Sequence, residues 1–148
     1  MALLYIGVDP GKGGGIAAVT PDGALVHVAK MPETERDLLD LFLKLDEEGQ
    51  GGARAMLERV HSLPSQGHSG AFTFGQGYGQ LTMALTAAQI PFDKVSPIKW
   101  QNALGCRSGG DKNITKRKAQ DLFPNAERIT HAVADAILLA EYARRLGR

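Results

Sequence analysis

Three short apolar segments near the start of the chain are separated by two glycine-containing turns, and this spacing constrains the fold more than any other feature. The apolar segments cover 3–8, 13–20 and 24–31. The first ends at Asp9-Pro10-Gly11 and the second at Pro21-Asp22-Gly23, and both are typical turn sequences. Turns this short join neighbouring antiparallel strands, so the sequence predicts a three-stranded meander.

After the meander, helical and extended patterns alternate. Strands are predicted over 53–60 and 91–95, and helices over 33–48, 72–89, 97–104, 114–123 and 130–146. Two polar, glycine-containing loops are predicted over 61–70 and 105–112. A meander followed by alternating helix and strand indicates an α/β fold in which helices cover a mixed sheet.

Length and composition indicate one globular domain, expected to span 1–148, with 43% apolar and 22% charged residues. The single cysteine, Cys106, excludes an internal disulfide or a multi-cysteine zinc site and favours a reducing compartment. No segment approaches the roughly 18 apolar residues of a membrane span. The apolar start lacks the basic flank of a signal peptide, so a cytoplasmic protein without membrane contact is expected.

Three acids lie in apolar surroundings. Asp9 follows a predicted buried strand, Glu58 lies near the end of another, and Asp135 interrupts an apolar helix. His131 lies four residues before Asp135, on the same helical face. Buried carboxylates need compensation, and carboxylate and imidazole ligands suit Mg²⁺ or Mn²⁺. The alternatives are structural: Asp135 paired with an arginine, Asp9 capping a turn, and His131 capping a helix.

Four motifs in this order resemble the RuvC-type Holliday-junction resolvases, and their compact phage branch in particular. The motifs are Ile6-Gly7-Val8-Asp9-Pro10-Gly11, Leu57-Glu58-Arg59-Val60, Phe74-Gly75-Gln76-Gly77 and Ala134-Asp135-Ala136. The resemblance implies an RNase H-like fold whose five-stranded sheet is an antiparallel meander followed by parallel strands, with helices on both faces. It also implies a homodimeric, divalent-metal endonuclease that nicks four-way DNA junctions symmetrically.

The resemblance also assigns the site residues. Asp9, Glu58 and Asp135 match the family's carboxylates, and His131 falls where a fourth site residue is expected, although four rather than three positions before the last acid. Such a site hydrolyses phosphodiesters with two Mg²⁺ or Mn²⁺ ions, bridged by Asp9, while His131 ligates an ion or orients the attacking water. The family's aromatic wedge after the strand-four glutamate has no aromatic counterpart here, and His61 or Phe72 is the candidate replacement.

Positive charge is concentrated over 99–118, where six basic residues accompany one acid. This segment predicts a local contact with phosphates, although a solvated helix face would have the same composition. The predicted DNA contacts are His61, Arg107, Lys112, Lys116, Arg117 and Lys118.

The Gly75-Gln76-Gly77-Tyr78-Gly79 segment has two interpretations. It is either a phosphate-binding helix start or a surface of small residues against which a partner helix packs. We favour the second, a homodimer interface on the helix 72–89 that includes the residues Leu81, Met83, Ala84 and Leu85. The 11–15 turn lacks the Gly-Lys-Ser/Thr order of a P-loop, so no nucleotide cofactor is expected.

Three alternative functions compete with junction resolution. The Asp9-Pro10-Gly11 turn also resembles actin-like ATPases, but those need two large lobes, for which this length is too short. The other two alternatives are a non-catalytic module that binds branched DNA and an RNase H-type nuclease acting on other branched or hybrid substrates. Both remain open at the level of sequence.

Overall fold

The computed structural model of the chain describes residues 2–61 and 63–147. Its strands are β1 (Leu4–Asp9), β2 (Gly15–Val19), β3 (Leu25–Lys30), β4 (Ala53–Glu58) and β5 (Phe92–Val95). Its α-helices are α1 (Glu35–Glu48), α2 (Gly67–Ala87), α3 (Pro97–Leu104), α4 (Lys112–Leu122) and α5 (His131–Leu146), and a short 3₁₀ helix covers Pro64–Gln66.

The five strands form one mixed sheet in the order β3-β2-β1-β4-β5. The pairs β1–β2 and β2–β3 are antiparallel, as the two short turns predict. The pairs β1–β4 and β4–β5 are parallel, and each is connected through a helix. The predicted mixed five-stranded sheet is therefore confirmed, with β1 at its centre.

Each face of the sheet is covered by a different set of helices. On one face, α1 and α2 pack through Leu38, Phe42 and Leu85 against alternate residues of the central strands. On the other, α3, α4 and α5 enclose a second core that includes the fully buried Trp100. α5 supplies more buried residues to that second core than any other element, because its residues 133–134 and 136–143 are buried. The apolar sequence of α5 is explained by its position, because the helix lies across the middle of the sheet.

Several predicted boundaries are wrong by one or two residues, and the start of α2 is wrong by five. β4 ends at Glu58 rather than at residue 60, and α2 begins at Gly67 rather than at residue 72. The predicted 61–70 loop therefore contains the 3₁₀ helix and the first residues of α2. No residue over 67–71 is fully buried, so this part of the helix has no apolar periodicity from which it could be predicted. Among the described residues, no helix is long and apolar enough to cross a membrane.

Candidate active site

Asp9 and Glu58 end two neighbouring parallel strands. Val8 of β1 lies opposite Leu57 of β4, so Asp9 and Glu58, the last residues of the two strands, lie side by side. Both side chains are partly exposed, in contrast to the buried residues that precede them. Two carboxylates therefore meet at the carboxyl edge of the sheet, where α/β proteins commonly place functional groups.

Asp135 reaches the same edge because α5 lies directly on the sheet. A Cβ atom at Gly7 would overlap the backbone of Ala136 and Ala140, and one at Gly15 would lie 2.9 Å from the carbonyl oxygen of Ala132. The absence of side chains at these two glycines lets the helix backbone contact β1 and β2. Asp135 lies between the two contacts, beside the end of β1.

The three carboxylates interact electrostatically. Burial raises the pKa of Asp9 to about 8, and the negative charges of Glu58 and Asp135 add to this effect, while Lys112 opposes it. Burial also raises the pKa of Asp135, opposed by a polar contact with Thr115 and by the charges of Lys112 and His131. None of the three acids forms a salt bridge with any described residue. The structural alternative in which Asp135 pairs with an arginine is therefore wrong for every arginine of the ranges 2–61 and 63–147.

Glu58 is the most tightly held of the three acids. The indole N–H of Trp100 donates a hydrogen bond to Glu58 Oε2 at 2.8 Å, and the Tyr78 hydroxyl donates to the Glu58 carbonyl oxygen at 3.2 Å. Burial raises the Glu58 pKa to about 6, the Trp100 hydrogen bond opposes the rise, and Asp135 adds to it. Sequence reasoning missed both partners, which lie 42 and 20 residues away along the chain.

His131 and Lys112 stand beside the carboxylates rather than among them. The His131 side chain is exposed at the start of α5, and its Nε2 lies 3.0 Å from Asn113 Oδ1. That contact joins the first turns of α5 and α4. Lys112 was predicted as a phosphate contact. Its positive charge opposes the rise in the pKa of both Asp9 and Asp135, so its ammonium group lies at the edge of the sheet where these acids meet.

The donor chemistry of this edge fits a hard divalent cation. Three mutually repelling, partly buried carboxylates would be stabilised by a nearby positive charge, and oxygen is the ligand that Mg²⁺ and Mn²⁺ prefer. In the ranges 2–61 and 63–147, however, no three His, Cys, Asp or Glu side chains are already gathered closely enough to hold a metal ion. The fit is therefore one of ligand type and location, and the carboxylates would have to converge around the ion.

The other predicted DNA contacts do not form one patch. Lys116 lines a small cavity with the 123–129 segment. Lys118 lies near Cys106, where burial raises the pKa of the thiol, the charge of Lys118 opposes the rise and that of Asp135 adds to it. Arg107 and Arg117 are exposed, as is His61. Of the six predicted DNA contacts, Lys112 is the one whose charge acts directly on the carboxyl groups of Asp9 and Asp135.

Most of the apolar residues predicted for a dimer interface on α2 are buried within the chain. Leu81, Ala84 and Leu85 belong to the core under the sheet, so they cannot form an interface, and that part of the prediction is wrong. Met83 is 63% exposed and Phe72 is 75% exposed. A Cβ atom added at Gly75, Gly77 or Gly79 would meet nothing within 4 Å, so these glycines also face open space.

The sequence matches no protein-family model and no curated protein. Its fold, in contrast, is similar to solved structures. Thermus thermophilus RuvC in complex with a Holliday junction substrate has a TM-score of 0.71 and 20% identity, over 98% of this chain and 96% of that one. A second T. thermophilus RuvC structure has a TM-score of 0.65 and 20% identity, over 97% and 96%.

A more distant similarity is to the yeast mitochondrial Holliday junction resolvase Ydc2. That structure has a TM-score of 0.52 and 14% identity, over 95% of this chain and 77% of that one. The matches span nearly all of this chain, so they include the meander, the parallel strands and the final helix. Over almost its whole length, the chain therefore has the RNase H-like fold of the RuvC-type structures, as its sequence motifs implied.

Proposed function

We propose that the protein is a structure-selective DNA endonuclease that resolves four-way junctions by divalent-metal-dependent hydrolysis of phosphodiester bonds. The observation that carries the proposal is the meeting of Asp9, Glu58 and Asp135 at one edge of the sheet. The same fold occurs in a RuvC protein bound to a Holliday junction substrate. We further propose that it acts in the cytoplasm of a bacterium or a phage-infected host, where such junctions arise.

Each acid has a distinct part in the proposed reaction. Asp9, on the central strand, would contact both cation positions, while Glu58 and Asp135 would each complete one. When bound, two Mg²⁺ or Mn²⁺ ions would activate the attacking water and stabilise the leaving oxygen. His131, fixed by Asn113 beside Asp135, would accept a proton from the water or serve as a further ligand.

Lys112 is the best-supported phosphate contact. Its ammonium group acts on Asp9 and Asp135, yet it forms no salt bridge within the described part of the chain, so it can also attract a phosphate. Contacts of this kind depend on salt but not on base sequence. The proposed roles of Arg107, Lys116, Arg117, Lys118 and His61 rest on charge and exposure alone.

Symmetrical cleavage requires two active sites, so we propose a homodimer. The supporting observation is the exposed face of α2, which carries Phe72 and Met83. A Cβ atom added at Gly75, Gly77 or Gly79 of the same helix would meet nothing within 4 Å. Small residues allow close approach of a second helix, and a two-fold axis would present the same face twice. Sedimentation of Met83→Glu should show monomer at protein concentrations where the unaltered chain is dimeric.

The test of the proposed activity compares a synthetic four-way junction with duplex, flap and RNA–DNA hybrid substrates in Mg²⁺ and Mn²⁺. We expect paired nicks in the junction, loss of cleavage in Asp9→Asn, Glu58→Gln and Asp135→Asn, and retained junction binding in all three. Asp93→Asn, at an exposed position of β5, is the matched control and should cleave normally. Near-normal cleavage by one of the three site variants would remove that residue from the site, and preferred cleavage of the hybrid would indicate an RNase H-type substrate.

A non-catalytic module that binds branched DNA is the second candidate. The specific observation in its favour is that the described residues contain no group of ligands already gathered around a metal position. Junction binding without nicks in either metal would support this alternative.

A further inference from the structure

Trp100 is the only tryptophan of the chain, and its side chain is fully buried. Local sequence fixes its position. Ser96 caps α3 by accepting a hydrogen bond from the Lys99 amide, and Pro97 occupies the first turn. The Trp100 amide bonds back to the Ser96 carbonyl oxygen at 3.3 Å. The indole therefore projects from the rigid start of a capped helix, not from a loop.

The polar atom of this buried ring is directed at the active-site edge. Its N–H group donates to Glu58 Oε2 at 2.8 Å, whereas the side chain of Asp135 has its polar contact with Thr115 of α4. The Tyr78 hydroxyl holds the backbone of the same residue through the Glu58 carbonyl oxygen. Glu58 is thus held from α3 through its side chain and from α2 through its backbone, and no described residue donates a hydrogen bond to its Oε1.

We propose that Trp100 is a positioning residue for Glu58: its N–H group holds Oε2 and leaves Oε1 as the oxygen that binds the cation. This inference rests on the proposed function, since it assumes that Glu58 is a ligand. Hydrogen bonds to ionised groups are shorter and stronger than neutral ones, so the carboxylate keeps one orientation. Groups that orient a metal ligand in this way typically change metal affinity about 10- to 100-fold when removed.

The first test measures Mn²⁺ binding to the full chain through the EPR signal of the free ion. Trp100→Phe removes the N–H group but keeps an aromatic ring, and we expect it to weaken Mn²⁺ binding about 10-fold or more. Leu104→Val changes the same helix and the same core without touching Glu58, so it should bind Mn²⁺ as the unaltered chain does. Thermal melting of both variants establishes that they are folded. Equal Mn²⁺ affinity in Trp100→Phe and the unaltered chain would overturn the proposal.

The second test needs neither metal nor activity, and it does not require a Trp100 variant to fold. Because the chain has one tryptophan, its ¹H–¹⁵N spectrum has one indole resonance, which reports the Trp100 N–H group alone. Glu58→Gln should shift this resonance, whereas Glu47→Gln, at an exposed position of α1, should not. An indole resonance that is unchanged in Glu58→Gln would overturn the proposal.

Junction cleavage separates this inference from the proposed function. If Trp100→Phe binds Mn²⁺ weakly but the unaltered chain nicks no junction, the nuclease assignment fails while the positioning role stands. If the chain nicks junctions and Trp100→Phe does so equally well across a Mn²⁺ titration, the positioning role fails while the nuclease assignment stands.

Discussion

Replacing Asp9 by asparagine should stabilise the metal-free protein, although it should abolish cleavage. Burial and the neighbouring acids raise the pKa of this carboxyl from 3.8 to about 8. A group whose pKa is raised in the folded state contributes stability that is complete below the unfolded pKa and is lost as pH rises through the folded one. The unaltered chain therefore loses stability between about pH 4 and about pH 8 as Asp9 ionises. Asparagine does not ionise, so Asp9→Asn does not lose stability in this way.

The magnitude follows from the two pKa values. Between pH 3.8 and 7, unfolding releases close to one proton, and each pH unit then lowers the free energy of unfolding by about 1.4 kcal/mol. Over this interval the cost reaches about 4 kcal/mol at pH 7. This is an upper limit, because relaxation of the chain and entry of water reduce the penalty of a buried charge. We expect Asp9→Asn to be more stable than the unaltered chain by about 1–4 kcal/mol at pH 7.

The assay is urea unfolding in EDTA at intervals from pH 5 to 8. The advantage of Asp9→Asn should increase with pH over this interval, whereas Asp93→Asn, on the exposed side of β5, should follow the unaltered chain throughout. Added Mg²⁺ should stabilise the unaltered chain more than Asp9→Asn, since the cation offsets the repulsion that asparagine has already removed. Parallel curves for Asp9→Asn and the unaltered chain in EDTA would show that the charge of Asp9 does not destabilise the fold.

Three further predictions concern the residues around the carboxylates. Gly7→Ala should lower the free energy of unfolding by about 3 kcal/mol or more, because its methyl group would overlap the α5 backbone. Gly13→Ala is the control: a Cβ there meets nothing within 4 Å, so urea unfolding should show little change. His131→Ala should melt at the normal temperature yet lower the single-turnover cleavage rate about 100-fold or more. Asn113→Ala should lower this rate about 10-fold, because Asn113 only orients the imidazole. Full activity of His131→Ala would leave a three-carboxylate site. Lys112→Ala should reduce the salt dependence of junction binding by about one unit of slope, a change that filter-binding titrations at several salt concentrations can measure.

Local signals predicted the elements that carry the acids. The two short turns specified the meander, and the first apolar run stops where Asp9 ends β1. The strand that carries Glu58 was also predicted, although its end was placed two residues too late. Asp135 was conspicuous because it is the one charged residue of the segment 132–140, whose other eight residues are apolar. These features depend on neighbours in the sequence, and the fold retained them.

The surroundings of the acids could not be predicted in the same way. The Trp100 hydrogen bond and the proximity of Lys112 depend on how α3 and α4 pack against the second core, which no local pattern specifies. The same limit explains the error over Leu85, which fills the core beneath the sheet and not an interface. The basic residues of α4 were predicted as a group because they are adjacent in sequence, yet a helix distributes adjacent residues around its circumference.

The uneven composition of α2 has a consequence for how amide protons exchange with solvent. Its buried residues, Leu81, Ala84 and Leu85, all lie in its last third, whereas its glycines lie in the first thirteen residues. Each glycine costs about 0.8–1 kcal/mol relative to alanine in a helix interior. The packing of Tyr78 against the core offsets this cost in part, but no residue of this part of the helix is fully buried. Amide hydrogens of the first three turns should therefore exchange through local opening, far faster than those around Leu85, whose exchange requires much of the core to open. A DNA junction or a second copy of the chain that covers this part of α2 would slow the exchange of these amide hydrogens. Slower exchange in the first three turns of α2 would therefore indicate that this surface is the one that is bound.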